Sequence, residues 1–155
     1  TDGSIYYDDK GNELKKFNCK DAVGFFLAKQ AGIKLVVMTG RECEATNRRM
    51  KEMNVDYIFQ NVKDKYSTLV EFIESNDIDT NELAYIGDDF NDYRAMQICA
   101  FKACPKDSEP VICDLADYIS SAVGGSGVIR DVVCHMLKNE GSYSHYIEML
   151  YGAIH

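Results

Sequence analysis

The 155-residue chain predicts an α/β fold, three layers deep around a mainly parallel sheet, on three observations. Apolar runs of strand length recur at 33–38, 57–59, 83–86 and 100–103, with segments of helical periodicity between them. The run at 33–38 is almost continuously apolar, as a strand covered on both faces requires. Chemically capable residues follow these runs directly, at the strand ends where open α/β sheets gather their ligands. Hydrophobic residues at 46% and charged residues at 27% are ordinary for a globular domain, and the length suits one core. No internal repeat or low-complexity linker divides the chain.

The first element is a hairpin. Residues 4–8 and 13–18 read as strands, and Asp9-Lys10-Gly11-Asn12 between them carries turn chemistry. Residues 21–30 read as a helix facing inward through Ala22, Val23, Phe26 and Leu27 and stopping at Gly32. After strand 33–38 comes a helix at 44–53, basic in its middle at Arg48, Arg49 and Lys51. Strand 57–59 leads to helix 65–75, which turns Leu69, Val70, Phe72 and Ile73 inward and takes Asp64 as its N-cap. Strand 83–86 precedes a helix at 92–98. Strand 100–103 precedes a loop and short helix punctuated by Pro105 and Pro110, and a last short strand covers 117–119. Gly124-Gly125-Ser126-Gly127 then opens a helix in which Val128, Ile129, Val132, Val133, Met136 and Leu137 recur at helical spacing, ended by Gly141. The principal domain is 1–141. The tail, 142–155, has room for a further short helix and carries Tyr143, Tyr146, Ile147, Met149, Leu150 and Tyr151 for packing on a neighbouring subunit or over a site mouth.

A net charge of −8 argues against nucleic acid or an anionic membrane as the main partner. It leaves a phosphorylated small molecule open, because a few placed cations and a metal decide that locally. Six cysteines (Cys19, Cys43, Cys99, Cys104, Cys113 and Cys134) are scattered without metal-binding spacing, as expected of free thiols in a reducing cytoplasm. No apolar run approaches transmembrane length, and no signal peptide is visible.

The strand ends carry the chemistry. Strand 83–86 stops at Gly87, and Asp88, Asp89 and Asp92 crowd the next positions. Carboxylates packed together at a buried strand end repel unless a cation or strong donor neutralises them. The group suits Mg²⁺, which takes one or two protein carboxylates plus phosphate oxygens. Read alone, it is equally an acidic cap for the following helix. After strand 33–38 come Thr39-Gly40-Arg41, where a hydroxyl and backbone N–H groups can receive a phosphate; alone, Thr39 is equally an N-cap. After 57–59, Lys65 at a helix start can reach the same crevice, although most lysines only solvate a surface.

The set Thr39, Lys65 and Gly87-Asp88-x-x-x-Asp92 resembles the second, third and fourth motifs of the haloacid dehalogenase superfamily of aspartate-nucleophile phosphatases. Several further blocks follow one another in order: Thr1-Asp2-Gly3-x-x-Tyr6-Tyr7, Gly11-x-Glu13-x-Lys15-x-Phe17, Lys20-Asp21, Val62-Lys63-Asp64-Lys65 and Gly124-Gly125-x-Gly127-x-x-Arg130. With Thr39-Gly40-Arg41 and Ala84 to Asp92, they look like the small, capless group that contains 3-deoxy-D-manno-octulosonate 8-phosphate phosphatase and relatives acting on nine-carbon ulosonate 9-phosphates. The resemblance covers roughly residues 1–139.

It implies a capless sandwich with a projecting β-hairpin, and Mg²⁺ bound by Asp88 with Asp89 and Asp92 in support. Thr39 and Lys65 would hold the phosphoryl group, and Lys20, Arg41, Arg49 and Arg130 would face the substrate. It also implies a homotetramer, with Arg130 facing a site across the interface, and a role in cell-surface carbohydrate synthesis such as lipopolysaccharide or sialic acid. Read plainly, Arg41 and Arg49 are a solvated helix face, and Gly124 to Gly127 a flexible turn.

Departures from the pattern are informative. The family's nucleophile and acid/base come from an Asp-x-Asp-Gly a few residues before the Thr-Asp-Gly with which this sequence begins. We therefore expect the sequence as read to lack its N-terminal catalytic strand. Lys20 stands where an arginine is usual, Ala22 where a glycine is, and Phe26 where a basic residue often is. These favour a nine-carbon substrate as a competitor to the eight-carbon one. The reading is a Mg²⁺-dependent phosphomonoesterase acting on a sugar-acid phosphate. Its rival is a non-catalytic assembly module of the same fold, for instance attached to a sugar-nucleotide synthetase.

Overall fold

The computed structural model describes residues 1–152. The hairpin forms as β1 (Tyr6–Tyr7) and β2 (Glu13–Leu14), paired antiparallel with Tyr6 opposite Leu14. Its turn is built by Asp8, whose carboxylate accepts from the Lys10 and Asn12 backbone N–H groups at 2.9 and 2.7 Å. The ladder is shorter than the sequence suggests, and among the described residues it stays two-stranded, a form with little support of its own in water.

Five parallel strands follow in two groups. β3 (Val36–Met38) pairs with β4 (Tyr57–Phe59), and β5 (Ala84–Ile86), β6 (Phe101–Cys104) and β7 (Tyr118–Ile119) pair in that order. The two groups share both helical layers. Val37, Ile86 and Ala103 turn towards α1 (Cys19–Gln30) and α6 (Val128–Asn139). Met38, Tyr85 and Cys104 turn the other way, towards α3 (Lys65–Asn76), α4 (Tyr93–Gln97) and α5 (Pro110–Leu115). That alternation of period two produces the expected α/β/α sandwich. Strand β3 begins three residues later than the apolar run because Leu35 N–H donates to the Asp56 carboxylate at 2.8 Å, not to a strand neighbour.

Helix α1 departs from its expected face. Asn18 caps it, accepting from Lys20 N–H at 2.9 Å, so the helix starts two residues earlier than expected. Its buried positions are Gly24, Phe25, Leu27 and Ala28, whereas Phe26 is exposed. The helix is covered on two sides and so has no single apolar stripe. Phe25 packs on Met50 and Met53 near α2 (Glu44–Glu52), while Leu27 and Ala28 pack on α6. At Gly24 the helices approach so closely that a Cβ would lie 2.6 Å from the Arg130 backbone nitrogen, a contact only glycine permits.

Helix α3 has the predicted cap: Asp64 accepts from Tyr66 and Ser67 N–H groups at 3.0 and 3.3 Å. The tail forms α7 (Tyr143–Tyr151), whose Tyr143, Tyr146, Ile147 and Leu150 pack on the α1–α6 cluster of the same chain. Met149 and Tyr151 remain exposed. No described helix is long and apolar enough to cross a membrane.

Candidate active site

The parallel strands all deliver their carboxyl ends to one edge of the sandwich, and the loop after β5 is organised there around Asp92. This residue is 2% exposed, and both its carboxylate oxygens accept hydrogen bonds. Oδ1 accepts from Lys65 Nζ at 2.6 Å and from the Tyr85 hydroxyl at 2.8 Å. Oδ2 accepts from the backbone N–H groups of Asp88 and Asp89 at 3.1 and 3.4 Å. Gly87 is what lets Asp92 fold beneath the strand end, since a Cβ there would lie 2.6 Å from the Asp92 Cβ. The spacing Gly-Asp-x-x-x-Asp thus encodes a loop in which the last carboxylate grips the backbone of the first. Asp89 accepts from Phe90 N–H at 2.7 Å and caps the short 3-10 turn Phe90–Asp92 that precedes α4.

Asp88, exposed like Asp89, is the carboxylate of this loop that borders the cavity at the strand ends. Its side chain reaches the surface but is partly enclosed, and its pKa is raised by that loss of solvation and then by the Asp92 charge, with Lys65 pulling the other way. A carboxylate held at such cost is suited to a cation. Among the described residues no cluster of three or more Asp, Glu, His or Cys side chains could form a protein-only cage. The donor set fits Mg²⁺ nonetheless, because that ion keeps several water or phosphate ligands and needs few carboxylates. Asp88 would hold it, with Asp92 engaged elsewhere and fixing the loop.

Lys65, at the start of α3, has a side chain 12% exposed and also donates to Asn91 Oδ1 at 3.3 Å. Of its three N–H groups two are thereby used and one is left for a phosphoryl oxygen. Thr39, directly after β3, accepts from Arg41 N–H at 3.3 Å through its hydroxyl oxygen, which leaves the hydroxyl proton to donate. Asp88 borders a cavity of about 240 Å³ with Thr1, Asp21, Pro105, Gly125 and Val128 among its walls. Thr39 and Arg49 border a second, of about 260 Å³, which shares Thr1, Asp21, Gly125 and Ile129 with the first.

The basic residues are placed differently from one another. Arg41 is held by the hairpin: its Nη2 and Nε donate to the two Glu13 carboxylate oxygens at 2.7 and 3.3 Å, and Nη2 also donates to Tyr7 Oη at 2.9 Å. Arg49 lines the second cavity while its Nη1 donates to Glu52 at 3.3 Å. Lys20 lies against Gly127, and Arg130 starts α6 beside Gly24; among the described residues neither forms an ion pair.

Two participants escaped the sequence reading. Tyr85 donates its hydroxyl to Asp92, and burial together with the Asp92 charge raises its pKa, so it stays protonated. The available signal was a tyrosine inside a buried strand, whose hydroxyl requires a partner. Asp21 accepts from Ile129 N–H at 2.9 Å, tying α1 to the first turn of α6, and borders both cavities.

A parallel α/β/α sandwich with hydroxyl, lysine and carboxylate loops on successive strand ends defines a haloacid dehalogenase-like hydrolase, and the model of that family matches residues 55–130. The structure of 3-deoxy-D-manno-octulosonate 8-phosphate phosphatase from Moraxella catarrhalis, in complex with magnesium ion, phosphate ion and a KDO molecule, is similar at TM-score 0.91 and 33% identity. The similarity covers 96% of this chain and 86% of that one. The cobalt-bound phosphatase of that name from Haemophilus influenzae is similar at TM-score 0.87 and 26% identity, over 93% and 84% of the two chains. The Escherichia coli K12 enzyme of the same name is 29% identical over 141 residues, 91% of this chain and 75% of its own length. The chain belongs to the 3-deoxy-D-manno-octulosonate 8-phosphate phosphatase family, and its class is phosphoric monoester hydrolase.

Proposed function

We propose that the protein hydrolyses 3-deoxy-D-manno-octulosonate 8-phosphate with the help of Mg²⁺, in the cytoplasm, on a route to cell-surface carbohydrate. The observation that carries this reading is Asp88 standing open beside an Asp92 already committed to Lys65, Tyr85 and the loop backbone. One carboxylate is thereby left for a cation and one ammonium for the phosphate. The relatives described above supply the substrate. Phe26, the aromatic departure that favoured a nine-carbon acid, lines neither of the two cavities at the strand ends, which weakens one reason for that alternative.

Thr39 donates its hydroxyl proton to one phosphoryl oxygen and Lys65 its remaining N–H to another, both from fixed positions. When bound at Asp88, Mg²⁺ neutralises phosphoryl charge as the ester bond breaks. The nucleophile and the acid/base are proposed to be an Asp-x-Asp pair contributed from before Thr1. The first would attack phosphorus in line; the second would protonate the leaving oxygen and then activate water. Supporting that source, β3 and β5 each carry a pairing edge on which no strand lies among the described residues. Lys20 and Arg130 are proposed to receive the sugar acid, with Arg49 after release from Glu52. Ile5, Tyr6, Tyr7 and Leu14 are exposed on and beside the hairpin, which supports burial of this arm in a homotetramer.

The test is a substrate comparison on the full-length protein. We expect kcat/KM for the eight-carbon phosphate to exceed that for a nine-carbon ulosonate 9-phosphate by about tenfold or more. The reverse order would reassign the substrate, and no phosphate release from either would remove the reading.

A further inference from the structure

One pair of thiols plays no part in the chemistry above and nevertheless flanks the segment that begins at Pro105, a wall residue of the first cavity. Cys104 ends β6 and is fully buried; Cys113 lies in α5 and is half-buried. Their sulfurs are 4.0 Å apart. The chain between them is tightly organised. Ser108 donates to Pro105 O through both its hydroxyl (2.9 Å) and its N–H (3.3 Å), and the Cys113 thiol donates to Ser108 O at 3.6 Å. This loop touches the catalytic end in two places. Glu109 N–H donates to Asp88 O at 3.1 Å, and the Asp107 carboxylate accepts from Gly124 N–H at 2.7 Å.

We propose that Cys104 and Cys113 form a reversible disulfide under peroxide, a modification site that staples α5 to the end of β6 beneath the Asp88 loop. A disulfide needs its sulfurs about 2.05 Å apart, so they must close by roughly 2 Å, a distance that side-chain rotation and a small approach of α5 can supply. The order of events follows from access. The Cys113 sulfur, nearer solvent, attacks one peroxide oxygen; an S–O bond forms, the O–O bond breaks, and the second oxygen leaves as water with the Cys113 proton. The Cys104 sulfur then attacks the Cys113 sulfur. The S–S bond forms, the S–O bond breaks, and hydroxide departs as water with the Cys104 proton. Two thiols lose two electrons, and one peroxide is reduced to two waters. Burial pushes the Cys104 thiol up to about 11, which suits it to wait as the resolving partner and not to meet peroxide first. The cross-link does not depend on the proposed reaction. Its effect on the site does rest on that reading: movement of α5 is passed through Glu109 to the backbone of Asp88, the residue assigned to the cation.

The experiment treats the reduced full-length protein with hydrogen peroxide, alkylates it after denaturation, and maps the peptides by mass. We expect loss of alkylation at both Cys104 and Cys113, a linked peptide lighter by two hydrogens, and its disappearance with dithiothreitol. Cys113→Ser should leave Cys104 alkylated after the same treatment. Full alkylation of both residues, a Cys113 sulfinic acid beside an untouched Cys104, or a disulfide from either to another cysteine would overturn the proposal. The half-saturating Mg²⁺ concentration for phosphate release is then compared between oxidised and reduced protein. A rise that is absent in treated Cys113→Ser supports the coupling to Asp88, and an unchanged value refutes the coupling while the mapped cross-link stands.

Discussion

Replacing Asp92 with Asn should weaken the fold itself, before any question of activity arises. The change keeps the shape of the side chain but removes its charge and turns one acceptor into a donor. Whichever way the amide faces, its N–H₂ meets donors: Lys65 and Tyr85 on one side, the Asp88 and Asp89 backbone N–H groups on the other. The Lys65–Asp92 pair is enclosed, with side chains 12% and 3% exposed, so solvent screening gives little relief. Removing one partner of a buried pair costs about 3–5 kcal/mol. For a chain of this size that is a fall of roughly 6–20 °C in Tm. Thermal unfolding followed by circular dichroism, in EDTA so that no cation contributes, measures it. Asp89→Asn is the control: Asn caps a helical turn about as well as Asp, so Tm should hardly move. If Asp92 were instead a free metal ligand, D92N in EDTA would leave Tm unchanged or raise it by relieving repulsion. That result would refute the reasoning.

Asp88→Asn should have the opposite sign. Because the folded protein raises the Asp88 pKa, its ionised form opposes folding at neutral pH, and stability should increase as pH falls through that raised value; D88N should raise Tm in EDTA and abolish the pH-dependent gain. Gly24→Ala places a methyl 2.6–2.7 Å from the backbone of Ile129 and Arg130, so α1 and α6 must part, at about 1–3 kcal/mol in urea unfolding. The Arg41 guanidinium holds the Glu13 carboxyl at about 2, below the ordinary 4.5, so the hairpin clamp should persist at pH 4 and be lost only as pH falls through about 2. A carboxyl titration of Glu13 by NMR with a midpoint near 4.5 would contradict that clamp.

The sequence disclosed the layered fold because its signals are local: buried parallel strands are short apolar runs, and Asp64 announces its helix by the position of one acceptor. Strand ends were legible for the same reason, which brought Thr39, Lys65 and Asp88 into view together. What escaped was direction. The spacing of Asp88, Asp89 and Asp92 gives three carboxylates but not which of them turns inward, and that depends on Gly87 having no Cβ and on Tyr85 reaching across from the strand. The face of α1 was misjudged because two neighbours cover it, so burial follows Gly24, Phe25, Leu27 and Ala28 and releases Phe26. Ionic partners were illegible as well. Glu13 and Arg41 are 28 residues apart, and nothing local joins a hairpin carboxylate to a strand-end guanidinium.

Asp88 is the carboxylate assigned to the cation, beside an Asp92 committed to Lys65, Tyr85 and the loop backbone. Inorganic phosphate released from 3-deoxy-D-manno-octulosonate 8-phosphate by the full-length protein should require Mg²⁺, vanish on chelation, and be abolished by Asp88→Ala in a variant that keeps its thermal transition. Release that continues without a divalent ion, or that survives in Asp88→Ala, would contradict that assignment.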